Sequence, residues 1–137
     1  MGYIWNPNLE TGYEKVDEQH KQLFTALNDI ADAFQEGRGS EEIFSTLEFL
    51  AGYTAMHFSA EEEVMQKYEY PNYTVHKQSH DNFKITVAEL FKRLRDEGSS
   101  EDLIVNVTAT IGDWLISHIR VDDIKMTSFI EQHGGTF

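Results

Sequence analysis

Two short pieces of this chain carry side chains that could hold a metal ion. His57-Phe-Ser-Ala-Glu61 and His76-Lys-Gln-Ser-His80 each place two such side chains four residues apart. On a helix that spacing puts both on one face, one turn apart. The stretch between the two pairs holds Pro71. It is short enough to fold one helix back against the other. Imidazole and carboxylate are donors for first-row divalent metals. The chain has no Cys, which excludes disulfides, thiolate sites and Cys nucleophiles and suits a reducing compartment. Four donors would therefore meet inside an apolar core.

The elements that must carry them are legible from apolar periodicity. Residues 1–15 show no helical period, and Trp5, Pro7 and Gly12 suggest an extended arm with Trp5 closing over the core. Asp17 is a candidate N-cap for a first helix running to about Gln35. Its apolar stripe is Val16, Leu23, Phe24, Leu27, Ile30, Ala31 and Phe34, with His20 on the same face. Gly37 and Gly39 break the pattern, and Ser40 can cap the next helix. That helix spans about 41–67, its inward positions being Ile43, Leu47, Leu50, Thr54, His57, Glu61 and Val64. The steps alternate four and three, the period of a bundle seam. A third helix runs from about Thr74 to Glu97 with His76, His80, Phe83, Val87, Leu90 and Leu94 inward. Ser99 and Asp102 form a candidate capping box. A fourth helix starts near 101, with Ile104, Val107, Ile111, Trp114, Leu115 and His118 inward, and continues, bent, to about Gln132. The fold expected is all-α. It is an up-down-up-down antiparallel four-helix bundle, a single domain over 1–137 with an arm (1–15) and a bundle (16–132).

There are 6 histidines. His20, His57, His76, His80 and His118 lie on inward stripes, and antiparallel packing brings all of them to one end. Any one alone reads as a core histidine bonded to a neighbour. Together with Glu61 they do not, because an unpaired buried charge costs on the order of several kcal/mol. No Lys or Arg lies inward at that end, so a metal cluster is the simplest compensation. His133, beside Gly134, reads as exposed, and Glu62 and Glu63 as a solvated face. A second carboxylate should come from the fourth helix. Asp122, at i+4 from His118, is favoured by periodicity. Asp123, at i+5, lies about 140° around an ideal helix, unless a one-residue bulge intervenes.

With 24 acidic and 11 basic residues the formal charge is −13. Such a surface repels phosphate backbones and anionic lipid, so no nucleic-acid partner and no membrane contact by this domain is expected. No apolar run approaches the ~18 residues of a span, and no leader is visible. The expected location is cytoplasmic.

The order and spacing of these residues resemble the hemerythrin family. The matching pieces are His20 in Val-Asp-Glu-Gln-His-Lys-Gln-Leu-Phe, His57-x-x-x-Glu61, His76-x-x-x-His80 and His118-x-x-x-x-Asp123. Trp5 and Gly12 look like the bacterial branch. The likeness covers nearly the whole chain, and it selects Asp123 over Asp122. It implies two iron ions (Fe2+/Fe3+) with an oxo or hydroxo bridge. His76, His80 and His118 would hold one iron, His20 and His57 the other, and Glu61 and Asp123 would bridge them. Counting donors then leaves one iron closed and the other with an open position, where O2 would be held as a hydroperoxide and small anions such as azide would compete. Leu23, Phe58, Trp114, Leu115 and Ile119 would line the O2 pocket.

The expected function is therefore reversible O2 binding, not enzymatic catalysis. As a domain of a larger signalling protein, including chemotaxis receptors, it would sense O2 or redox state. The alternative is a stand-alone O2 carrier, store or iron-binding protein. A di-iron oxidase or peroxidase is disfavoured because no Glu-x-x-His pair occurs, and a zinc protease because His-Glu-x-x-His is absent. The His80-Asp81 pair of metal phosphohydrolases diverges by about 100° on a helix.

Overall fold

The structure, a computed structural model, describes residues 5–137, with the backbone alone at Ser40. Four rods make the fold. They are α1 (Glu14–Gln35), α2 (Gly39–Lys67), α3 (Tyr73–Glu97) and a fourth rod built of three consecutive pieces. Those pieces are α4 (Glu101–Ser117), a π-helical turn (His118–Asp123) and α5 (Ile124–Gln132). Packing of α1 on α2 and α4, and of α3 on α2 and α4, closes an up-down-up-down bundle.

Apolar positions recurring every three or four residues build the main core. Leu27, Ile30, Leu47, Leu50, Leu94, Ile104, Val107 and Ile111 meet there with almost no exposure. A smaller cluster of Met65, Tyr70, Met126 and Ile130 lies farther along the rods. In each rod the inward histidines fall between these two clusters, so a polar layer is held between two apolar ones. Beside it, Leu9, Phe24 and Ile119 pack under the arm with Trp5.

The helix ends differ in detail from the sequence expectation. The arm holds a 3-10 turn at Pro7–Leu9, capped by Asn6, and α1 begins at Glu14. Asp17 is therefore inside the first turn rather than its N-cap. Its carboxylate reaches back and accepts the backbone N–H of Thr11 at 2.9 Å and the Thr11 hydroxyl at 2.8 Å. Ser40 also lies inside its helix, since α2 starts at Gly39. The cap of α4 is Ser100, whose hydroxyl accepts from the Leu103 N–H, one residue later than the Ser99 cap expected from the sequence. Ala33 and Met65 take the buried positions expected of Ala31 and Val64, which are half-buried. Caps are decided by a few hydrogen bonds, and neighbouring polar residues compete for them.

The bend expected in the fourth rod is the π turn. Its wider loop is closed by the Ile124 N–H donating to the Ile119 carbonyl, five residues back. A turn that gains one residue brings i and i+5 onto one face, and His118 and Asp123 are both buried.

Asp17 is the tie that holds the arm to α1. Asp17→Ala removes the one oxygen, Oδ1, that accepts both Thr11 hydrogen bonds, and should cost about 1–3 kcal/mol. Urea unfolding followed by far-ultraviolet circular dichroism should show a lower midpoint with the folded helix content unchanged.

Candidate metal centre

Each rod delivers part of one buried cluster. His20 comes from the second turn of α1, and His57 and Glu61 from α2. His76 and His80 come from the first two turns of α3, and His118 and Asp123 from the two ends of the π turn. None of the seven is more than 3% exposed. All five imidazoles present Nε2 to the centre. The donors form two overlapping groups, Glu61, His76, His80, His118 and Asp123 on one side and His20, His57, Glu61 and Asp123 on the other. Within each group the donor atoms lie within 4.8 Å of one another.

The two shared residues are the carboxylates, and each divides its oxygens between the groups. Glu61 turns Oε2 toward His57 at 2.9 Å and Oε1 toward His80 at 3.1 Å. Asp123 turns Oδ2 toward His20 at 3.0 Å and Oδ1 toward His76 and His118, both at 3.1 Å. A carboxylate set this way can span two cations. The halves are unequal: one has three imidazoles, the other two.

The outer ring nitrogens fix how the imidazoles face. The Nδ1–H of His57 donates to Gln19 Oε1 at 2.6 Å, that of His80 to Glu62 Oε2 at 2.8 Å, and that of His118 to Asp122 Oδ2 at 2.9 Å. Oxygens of this kind only accept, so Nδ1 keeps its proton and the neutral ring's lone pair on Nε2 points inward. Yet Nε2 of His80 and His118 lie 3.1 Å apart, and those of His20 and His57 3.0 Å apart. All four carboxylate oxygens of Glu61 and Asp123, and Nε2 of His76, are buried without a well-formed hydrogen bond. Lone pairs and anionic oxygens thus converge on common points rather than on one another. A pair of cations satisfies them, and the donor set, imidazole with carboxylate, suits iron.

Without metal, protons take the cations' place. Burial pushes His20 and His76 down, but the carboxylates of Asp123 and Glu61 facing their Nε2 attract the proton, outweigh burial and raise both to about 9. Burial likewise opposes His118, which the charge of Asp123 and its bond to Asp122 raise to about 10. Burial pushes Glu61 up, and the charge of His57 with bonds to His20 and His76 holds it well below the usual range. Burial and the Glu61 charge push Asp123 up, and His118 and His20 outweigh them, so it too lies far below its ordinary value.

The model of the hemerythrin HHE cation-binding domain matches residues 11–129. The chain belongs to the hemerythrin family. A bacteriohemerythrin of Pseudomonas aeruginosa is 33% identical over 120 residues, 88% of this chain and 76% of that protein. The myohemerythrin of Theromyzon tessulatum is 32% identical over 123 residues, covering 90% of this chain and 89% of its own. A crystal structure of wild-type hemerythrin matches with a TM-score of 0.81 at 30% identity, over 92% of this chain and 95% of that one. Hemerythrins bind O2 at a non-haem di-iron centre and are not enzymes. The cluster here is able to hold such a centre.

The structure brings together all seven residues expected to bind metal. His133 lies apart, exposed, with its Nδ1 on the Phe129 carbonyl. The five expected pocket residues are distributed around the cluster. Phe58 stacks on His80 at 3.8 Å and lies 6.0 Å from His57, and Trp114 stacks on His118 at 4.4 Å. Leu23 and Leu115 belong to the main core, and Ile119 packs beneath the arm. One expectation is corrected: Glu62 is no solvated face, since it accepts from His80 and is mostly buried. Gln19 and Asp122 are partners of ligand histidines that helical period does not single out as such. Asp122 and Glu62 each follow or precede a cluster residue in sequence, and that adjacency was the available signal.

The raised histidines fix a pH dependence for the metal-free protein. Their folded values lie above the ordinary 6.5, so their contribution is full below about 6.5 and is lost as pH rises through 9 to 10. The lowered carboxylates contribute above their ordinary range and fail only in stronger acid. Urea midpoints of the metal-free protein should fall between pH 6.5 and 10. The difference between metal-loaded and metal-free midpoints should widen over the same interval.

Proposed function

We propose that this chain binds O2 reversibly at a di-iron centre held by seven residues. His76, His80, His118 and one oxygen each of Glu61 and Asp123 hold one iron. His20, His57 and the other oxygens hold the second. The observation that carries the reading is the unequal donor count, five against four, around two shared carboxylates. The half with fewer protein donors is the one with room for an exogenous ligand. When bound, the iron pair supplies the electrons that O2 takes up and returns.

The protein's own part is to hold and to shield. Glu61 and Asp123 fix the separation of the two cations. The Nδ1 acceptors keep Nε2 free of protons and aimed inward. Phe58 and Trp114 cover imidazoles with flat apolar faces. We assign Leu23, Phe58, Trp114, Leu115 and Ile119 to the wall that keeps water away from bound O2. Dryness matters because a proton donor near bound, reduced O2 would help it leave as peroxide.

We assign to the chain O2 binding for carriage or storage, as a relative of proteins named bacteriohemerythrin and myohemerythrin. The same chemistry would serve O2 sensing within a signalling or chemotaxis protein, and a signalling region encoded in the same gene would favour that role. Among the described residues no helix is long and apolar enough to cross a membrane.

Purified protein should take up about two irons per chain, with oxo-bridged ferric absorption in the near ultraviolet. Glu61→Gln and Asp123→Asn should each lose iron readily to a chelator. Azide should bind once per iron pair and compete with O2. A crystal structure with azide on the iron of His76, His80 and His118 would overturn the assignment of the open position.

Shielding has its own test. Leu115→Ala opens space in the core and should speed autoxidation several-fold, measured as decay of the O2 complex, while iron content holds. An unchanged decay rate would remove Leu115 from the wall.

A further inference from the structure

The acceptors behind the imidazoles are divided unevenly between the halves. Behind His80 stands Glu62, and behind His118 stands Asp122, both carboxylates. Ser79 also approaches His118 Nδ1, at the longer distance of 3.3 Å. Behind His57 stands the neutral amide of Gln19. The Nδ1 of His20 is buried and has no hydrogen-bond partner among the described residues. Glu61 and Asp123 cannot make the halves differ in charge, because each gives one oxygen to either side. The extra imidazole of the three-histidine half is neutral when its Nε2 holds metal. Among the groups bonded to the ligand imidazoles, the difference in negative charge therefore lies in the outer row.

A carboxylate that accepts Nδ1–H draws that proton toward itself and leaves Nε2 a stronger, more negative donor. An amide does so far less. Negative charge close to a buried cation favours its higher oxidation state, and water screens that effect less for Glu62, 15% exposed, than for Asp122, 35% exposed. Resting on the di-iron reading above, we infer that Glu62, Asp122 and Gln19 set the two irons at different potentials. In the half-oxidised centre the ferric charge resides on the iron of His76, His80 and His118. The iron of His20 and His57, where O2 binds, stays ferrous. The three outer residues are thus positioning residues that also decide which iron is oxidised first.

Charge-only substitutions test this while keeping shape. Glu62→Gln and Asp122→Asn remove a negative charge behind the three-histidine half, and Gln19→Glu adds one behind the other. Each variant is loaded with 57Fe, its iron is counted, and it is titrated electrochemically. Mössbauer spectra of the half-oxidised state then show which iron is ferric. Glu62→Gln and Asp122→Asn should each make the ferric three-histidine iron easier to reduce, by about tenfold in the equilibrium, or about 59 mV for one electron. Gln19→Glu should make the ferric two-histidine iron harder to reduce. The double change Glu62→Gln with Gln19→Glu should move ferric character toward that iron. Iron-replete variants whose potentials and ferric position match the parent overturn the inference, and so does a variant that merely holds iron less well with its potentials unchanged. A parent that takes up no iron overturns the di-iron reading itself, and this inference with it.

Discussion

Two carboxylates buried side by side are the constraint on which the rest of this structure depends. Glu61 and Asp123 are each 1% exposed, in the middle of a helical bundle. Two anions in such a place repel each other and have lost their water. They persist because cations face them, imidazolium in the metal-free chain and iron in the loaded one. The arrangement of the histidines follows from that need. Five rings from four rods point one nitrogen inward, because fewer would leave carboxylate oxygens uncompensated. The outer acceptors follow in turn, since an imidazole aimed at a metal must give its other proton to something. The apolar clusters on either side close the layer to water.

Most of this order is visible in the chain because burial and helical period leave clear traces. Glu61 stands where Leu would be expected in the α2 seam. His20, His57, His76, His80 and His118 interrupt apolar stripes at mutually consistent heights. The resemblance to hemerythrins then chose between Asp122 and Asp123, which periodicity alone decided the other way. The physical reason is the π turn. It depends on a hydrogen bond spanning five residues, and no residue in His118–Asp123 announces it by type.

What escaped the sequence reading is of two kinds. Helix caps shifted by a residue or more at Asp17, Ser40 and Ser99, because several polar neighbours could each serve and tertiary contacts choose among them. The outer acceptors escaped too: Gln19 and Glu62 look outward by period, whereas the period turns Asp122 inward as a candidate ligand and hides its place behind His118. Glu62 is one step past Glu61 on a helix, yet its length lets it curl to His80 on the neighbouring rod. Asp122 is kept at the rim by the same π turn that swings Asp123 inward. Adjacent aspartates thereby serve opposite nitrogens of the cluster around His118.

The aromatic residues around the cluster carry one further consequence. The chain's two tryptophans each sit against a histidine of a different half, Trp5 with its ring 6.2 Å from that of His20 and Trp114 stacked on His118. Indole is the dominant intrinsic fluorophore of a protein, and a transition metal a few ångströms away quenches it. The molecule therefore carries an optical probe on each side of the cluster, and with either indole replaced by phenylalanine the emission left would follow occupancy of the centre, with no label attached.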